Sequence, residues 1–107
     1  MDFTLSMHVR PPEAVITAGG ELDVFTSRQL RERLLDAVEI GCRQVLLDLG
    51  GVTFADVSAL HVISRFQKQL TLVDGSLRLE AWSPQVLRLC RMAGVDKAFG
   101  LSDPTPV

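Results

Sequence analysis

The stretch at residues 45–60, VLLDLGGVTFADVSAL, constrains the fold more than any other part of the chain. It begins inside an apolar run, QVLLDL at 44–49, dense enough for an interior strand covered on both faces. Gly50, Gly51 and residues 52–55 then lead to a short loop closing on Asp56, Val57 and Ser58. Beyond it Leu60, Ile63, Phe66 and Leu70 recur at helical spacing, which predicts a helix to about residue 73. A strand passed this directly into a helix sets one hydroxyl, Ser58, at the helix N-terminus. There the first N–H groups lack intrahelical acceptors and the peptide dipoles sum to roughly half a positive charge, so a phosphate on Ser58 should be held rather than repelled. The same residues admit a plainer reading, in which Asp56 or Ser58 is an ordinary N-cap.

Around this block the pattern alternates between extended and helical periods. Phe3, Leu5, Met7 and Val9 alternate with Thr4, Ser6 and His8, a strand with one buried face, broken by Arg10-Pro11-Pro12-Glu13. Residues 14–22, AVITAGGEL, read as the second arm of a hairpin, with Gly19 and Gly20 marking a bulge or a close backbone approach. Thr26-Ser27-Arg28-Gln29 fits a capping box with Thr26 as the cap, opening a helix to about Ile40 that Gly41 ends. Leu30, Leu34, Ala37 and Val38 share its packed face. Residues 76–82 read as a further strand, and Ser83-Pro84 caps a third helix whose buried stripe is Val86, Leu89, Cys90 and Ala93. A short strand near 97–100 completes the expected series. Such an order predicts an α/β fold: a mixed, mostly parallel sheet with an N-terminal antiparallel hairpin and helices packed against it.

Length and composition narrow the function. A chain of 107 residues is one domain, read as residues 1–101 with a Pro-containing tail at 102–107 expected to fray. A net charge of −2 offers no long-range field for nucleic acid or anionic lipid, which points to a protein partner. No apolar run approaches the roughly 20 residues that span a bilayer and no leader pattern opens the chain, so a cytoplasmic protein without membrane contact is expected. Cys42 and Cys90 lack metal-ligand spacing and read as small buried apolar residues. No metal or cofactor site is expected. With no nucleophile and base at suitable spacing and no glycine loop for a nucleotide, an enzyme is the weakest reading, and no catalytic residue is assigned.

With Gly20-Glu21-Leu22-Asp23, Thr26, the block at 45–60, and Ser83-Pro84 leading to Leu89 and Met92-Ala93-Gly94 in this order, the chain resembles the STAS domains of bacterial anti-sigma factor antagonists over nearly its whole length. The resemblance implies a partner-switching cycle. The unphosphorylated protein would bind an anti-sigma factor that is also a serine kinase and so free a sigma factor for transcription. Phosphorylation of Ser58 would block that binding until a serine phosphatase restored the hydroxyl. Carried over residue by residue, Ser58 is the phosphoacceptor, Asp56 shapes its turn, and Asp23 and Thr26 lie in a loop bordering it. Asp23, Thr26, Asp56, Ser58, Ala59 and His61 form the expected partner-binding set. Asp23, Thr26 and Asp56 also admit plain capping roles.

The chain departs from the family at three points. Val57 stands where a serine is frequent, and Ala59 where glycine is usual, adding a Cβ that could crowd a kinase. His61 replaces a small residue one turn into the helix, where it either tunes partner choice, pairs with a phosphate when protonated, or is simply exposed. The tail after Leu101 is too short for the helix that commonly ends the family, leaving that edge of the sheet less covered. Two other functional readings stand beside the switch: a non-switching STAS scaffold in a stress-signalling or transport assembly, and thiol-based regulation through Cys42 and Cys90.

Overall fold

The computed structural model describes residues 3–101. Its elements are β1 (Thr4–Arg10), β2 (Glu13–Leu22), α1 (Val24–Ile40), β3 (Gln44–Ala55), α2 (Val57–Thr71), β4 (Ser76–Trp82) and α3 (Pro84–Ala93). The four strands form one sheet in chain order, β1 antiparallel to β2 and the others parallel. The mixed sheet with its N-terminal hairpin is the one the alternating pattern requires. The tail at 102–107 lies outside the described residues.

Strand register explains how the alternation becomes a core. Met7 pairs with Ile16, Ile16 with Leu47, and Leu47 with Leu79, so one apolar row crosses the sheet from edge to edge. A second row joins Val9, Ala14, Val45 and Leu77. Leu30 and Leu34 of α1, Ile63, Phe66 and Leu70 of α2, and Val86 and Cys90 of α3 bury against the sheet in one cluster. Side chains in such a cluster each contribute about 1.5–3 kcal/mol when removed from water.

The core lies on one face, and this corrects the expectation for β3. Leu46 and Asp48, between the buried Val45, Leu47 and Leu49, keep partial exposure. Because β2, β3 and β4 advance across the sheet in one direction, successive right-handed crossovers put α1 and α2 on the same side. An apolar run alone does not report this. Register shifts between Thr17 and Gly19 and between Gly20 and Glu21 mark where β3 carries extra residues against β2. The first shift lets Leu49 and Val52, three positions apart, both face the core, as a bulge does. Gly19 is the close approach: a Cβ there would meet Thr4 Oγ1 at 2.9 Å.

Three smaller expectations change. Ala93 is exposed, so the α3 stripe rests on Val86 and Cys90 with Leu87 and Leu89 partly buried. Residues 96–100 form turns in place of a short strand. The edge of β4 is nonetheless covered: Phe99 is fully buried, its carbonyl accepts the Leu79 N–H at 2.9 Å, and Gln67 Nε2 donates to the Leu77 carbonyl at 3.2 Å. Leu101 buries beside it.

The turn after α2 yields a stability test. A Cβ on Gly75 would lie 2.3 Å from the Arg43 carbonyl oxygen and 3.0 Å from that of Leu70, both backbone atoms that cannot rotate away. Gly94, the α3 C-cap at φ 73°, faces open space, so alanine there meets only backbone strain. Gly94→Ala should cost about 1 kcal/mol. Gly75→Ala should lower the urea midpoint distinctly further, and equal midpoints would show that the Arg43 turn yields.

Candidate functional site

The site is built where β2 and β3 end side by side, Leu22 paired with Ala55. Each strand is followed at once by an aspartate that opens a helix. Asp23 caps α1, its Oδ1 accepting the N–H groups of Phe25 and Thr26, each at 2.9 Å. Thr26 Oγ1 in turn accepts the Asp23 N–H at 2.9 Å and donates to the Glu21 carbonyl at 2.7 Å. The capping box is therefore real but lies three residues earlier than the sequence pattern places it, and Thr26 belongs to the first helical turn rather than to a loop. The N–H of Thr26 is the chief cause that holds the Asp23 carboxyl below its usual 3.8.

Asp56 repeats the arrangement at α2. Its backbone N–H donates to the Leu22 carbonyl at 3.1 Å, fixing the junction to the end of β2. Its Oδ1 accepts the Ser58 N–H at 2.9 Å and also the Ser58 hydroxyl. Ser58 occupies the second position of α2, half-buried, with Oγ 3.2 Å from Ser27 Oγ of α1. Since the Ser58 proton points at Asp56, Ser27 is the donor in that pair. Ser27 is 2% exposed and was not among the expected site residues. Its signal was present: it precedes Leu30, Leu34 and Ala37 on the inward stripe of α1, a polar residue where the period demands an apolar one.

Two of the donors at the start of α2 are already engaged. The Asp56 side chain already takes the Ser58 N–H and the Asp56 carbonyl takes that of Ala59 at 3.2 Å. A phosphate on Ser58 would meet a carboxylate where free donors were expected. Ala59 is 2% exposed, and its methyl packs in the core cluster. His61 is exposed on the next turn of α2.

Four apolar side chains near the two helix starts face solvent: Val24 at 50%, Phe25 at 71%, Phe54 at 49% and Val57 at 57%. Phe54 pairs in register with Glu21 near the ends of β2 and β3, and Val24, Phe25 and Val57 open the first turns of α1 and α2, the two helices that Ser27 and Ser58 join. Exposed apolar groups gathered around a polar centre are characteristic of protein-binding surfaces. No group of three metal-ligating side chains occurs among the described residues, and no described helix is long and apolar enough to cross a membrane. Cys42 and Cys90 are buried in different clusters, and burial, with Asp96 adding to it, pushes the Cys90 thiol up to about 11.

A sheet ordered β1-β2-β3-β4 with helix starts converging on one serine defines a class, and the comparisons agree with it. Residues 4–105 match the model of the STAS domain, and the chain belongs to that family. An anti-sigma-B factor antagonist of Bacillus subtilis is 26% identical over 102 residues, 95% of this chain and 93% of its own length. A protein of the same description from Staphylococcus aureus is 28% identical over 92 residues, 86% of this chain and 85% of its own. The fold is shared with an anti-sigma factor antagonist from Mycobacterium paratuberculosis, at TM-score 0.82, 21% identity and coverage of 97% and 88%. It is shared also with the Bacillus cell fate determinant SpoIIAA in its phosphorylated form, at TM-score 0.72, 23% identity and coverage of 97% and 92%.

Two measurements check the site. Because the Asp23 carboxyl titrates below 3.8 when folded, its capping contribution is present above that pH and is lost as pH falls through the folded value. The gap in melting temperature between the parent and Asp23→Asn should therefore narrow as pH falls below 3.8, and a constant gap would contradict the capping role. Both thiols should resist a thiol-specific reagent at pH 8 in the native protein and react fully in denaturant.

Proposed function

We propose that this protein is an anti-sigma factor antagonist whose binding is switched by phosphorylation of Ser58. In its unmodified state it docks on an anti-sigma factor through the face around Ser58, releasing a sigma factor for transcription. That partner carries the serine kinase activity, and a separate serine phosphatase resets the hydroxyl. Asp23, Thr26 and Asp56 shape the docking face by holding the two helix starts in place, while Val24, Phe25, Phe54 and Val57 supply its apolar area. The protein acts as the kinase's substrate and has no catalytic residue of its own.

The observation that carries this reading is the position of the Ser58 hydroxyl: half-buried, bonded to Asp56 and Ser27, where two helices with exposed apolar residues in their first turns begin. Phosphorylation removes the proton that Asp56 accepts and adds about −1.5 to −2 charge beside that carboxylate. A partner covering the face would then have to desolvate a phosphate against apolar side chains and a like charge. A penalty of only ~3 kcal/mol weakens binding about a hundredfold, so the fold itself need not change. Val57, which stands where the family often has serine, leaves a single acceptor in the turn and enlarges the exposed apolar area.

Incubation with the candidate anti-sigma kinase and ATP should add one phosphate by intact mass, and Ser58→Ala should abolish the addition while retaining binding. Ser58→Glu should weaken binding about a hundredfold. Unchanged mass with every anti-sigma partner that binds would replace the switch with a non-switching scaffold.

A further inference from the structure

Alongside α2 runs an open groove of about 580 Å³ that the phosphoacceptor does not use. Its apolar lining comes from Val62 and the buried Phe66, with the exposed Leu72 at the C-terminal end of α2. Its charged walls are all of one sign: Arg31 from α1, and Arg65 and Lys68 from α2, with His61 at the Ser58 end. Along α2, His61, Arg65, Lys68 and Leu72 follow at spacings of four, three and four residues, so they form one continuous stripe. No Asp or Glu lines the groove and α2 contains none, although acidic residues outnumber Lys and Arg by 13 to 11 in the chain. The salt bridge among the described residues, Arg33–Asp36, involves none of the groove cations.

We infer that this groove is a second docking surface, built for an acidic, amphipathic helical segment of the partner. The inference rests on the proposed antagonist function and extends its contact area from Ser58 down the length of α2. Charge complementarity selects the occupant. A helix with carboxylates flanking an apolar stripe answers an apolar lining with cationic walls, whereas the net charge of −2 opposes a nucleic acid polymer. The exposed Leu72, at 85%, closes the far end and gives such a helix an apolar anchor. Docking here would set the partner's approach, with the groove supplying steering and register while the Ser58 face supplies the veto.

The test measures binding of the full chain to its anti-sigma factor at low and high salt. A triple variant Arg31→Glu, Arg65→Glu and Lys68→Glu should bind at least about tenfold more weakly at low salt and lose most of the salt dependence. Arg88→Glu, an equivalent exposed charge reversal on α3, should change affinity less than about twofold. Thermal unfolding confirms that each variant is folded, and Lys substitutions in an acidic helix of the partner should restore binding to the triple variant. Triple-variant affinity within twofold of the parent, while Ser58→Glu still weakens binding about a hundredfold, overturns the groove and spares the antagonist function. If neither variant weakens binding, both readings fall. Binding of the parent to phosphatidylglycerol vesicles that the triple variant loses, with partner affinity intact, reassigns the groove to a lipid surface and overturns the inference.

Discussion

The parallel pairing of β2 with β3, carried through to Leu22 and Ala55, is the constraint on which the site depends. Because the two strands finish level, the helices that follow them start level, and Ser27 comes within hydrogen-bonding distance of Ser58 although 31 residues separate them. The Asp56 N–H on the Leu22 carbonyl locks the arrangement by joining one helix start to the other strand's end. A slip of one residue between β2 and β3 would turn the core row of Ile16 and Leu47 outward and part the two hydroxyls together. Core packing and site geometry thus depend on a single register.

The contacts of this hydroxyl differ from those of a serine nucleophile. A serine nucleophile needs a group that removes its proton during reaction, commonly an imidazole oriented by a third residue. Here the hydroxyl is bonded to a carboxylate that also caps a helix and to a second hydroxyl at the edge of the core. These contacts fix its direction without leaving the carboxylate free to move. Adding a phosphoryl group would alter surface chemistry at one point while the strands beneath remain paired. The cost falls on whatever protein covers that point.

Much of this was legible in the sequence because apolar spacing reports burial directly. Leu60, Ile63, Phe66 and Leu70 recur at helical spacing and are all buried, and residues 76–82 form the strand their pattern predicts, with the same bounds. The capping box is ambiguous in the sequence because Asp23-x-x-Thr26 and Thr26-x-x-Gln29 both satisfy a local pattern. The end of β2 selects the first, since Asp23 follows Leu22 without an intervening residue. Coverage of β3 on one face could not be read from QVLLDL, because it follows from the direction in which strands are added. The exposed Val24, Phe25, Phe54 and Val57 were equally hidden: apolar residues in a strand end and two helix starts look like core until the sheet's limit is known. Ser27 alone offered a missed signal, a polar residue on an apolar stripe.

The opposite pole of the sheet is organised differently. There the strand beginnings are stitched by short backbone links, with the Arg43 N–H on the Pro12 carbonyl at 2.8 Å and the Ser76 N–H on the Arg43 carbonyl at 2.8 Å. The Gly75 turn is wedged against that same carbonyl. The molecule is in this sense a foundation with a working end: the lower turns are tied to one another, and the upper rim holds the paired helix starts. Exposed rim side chains such as Phe25 and Val57 lie far along the strands from these ties, so changing them leaves the base's backbone links in place.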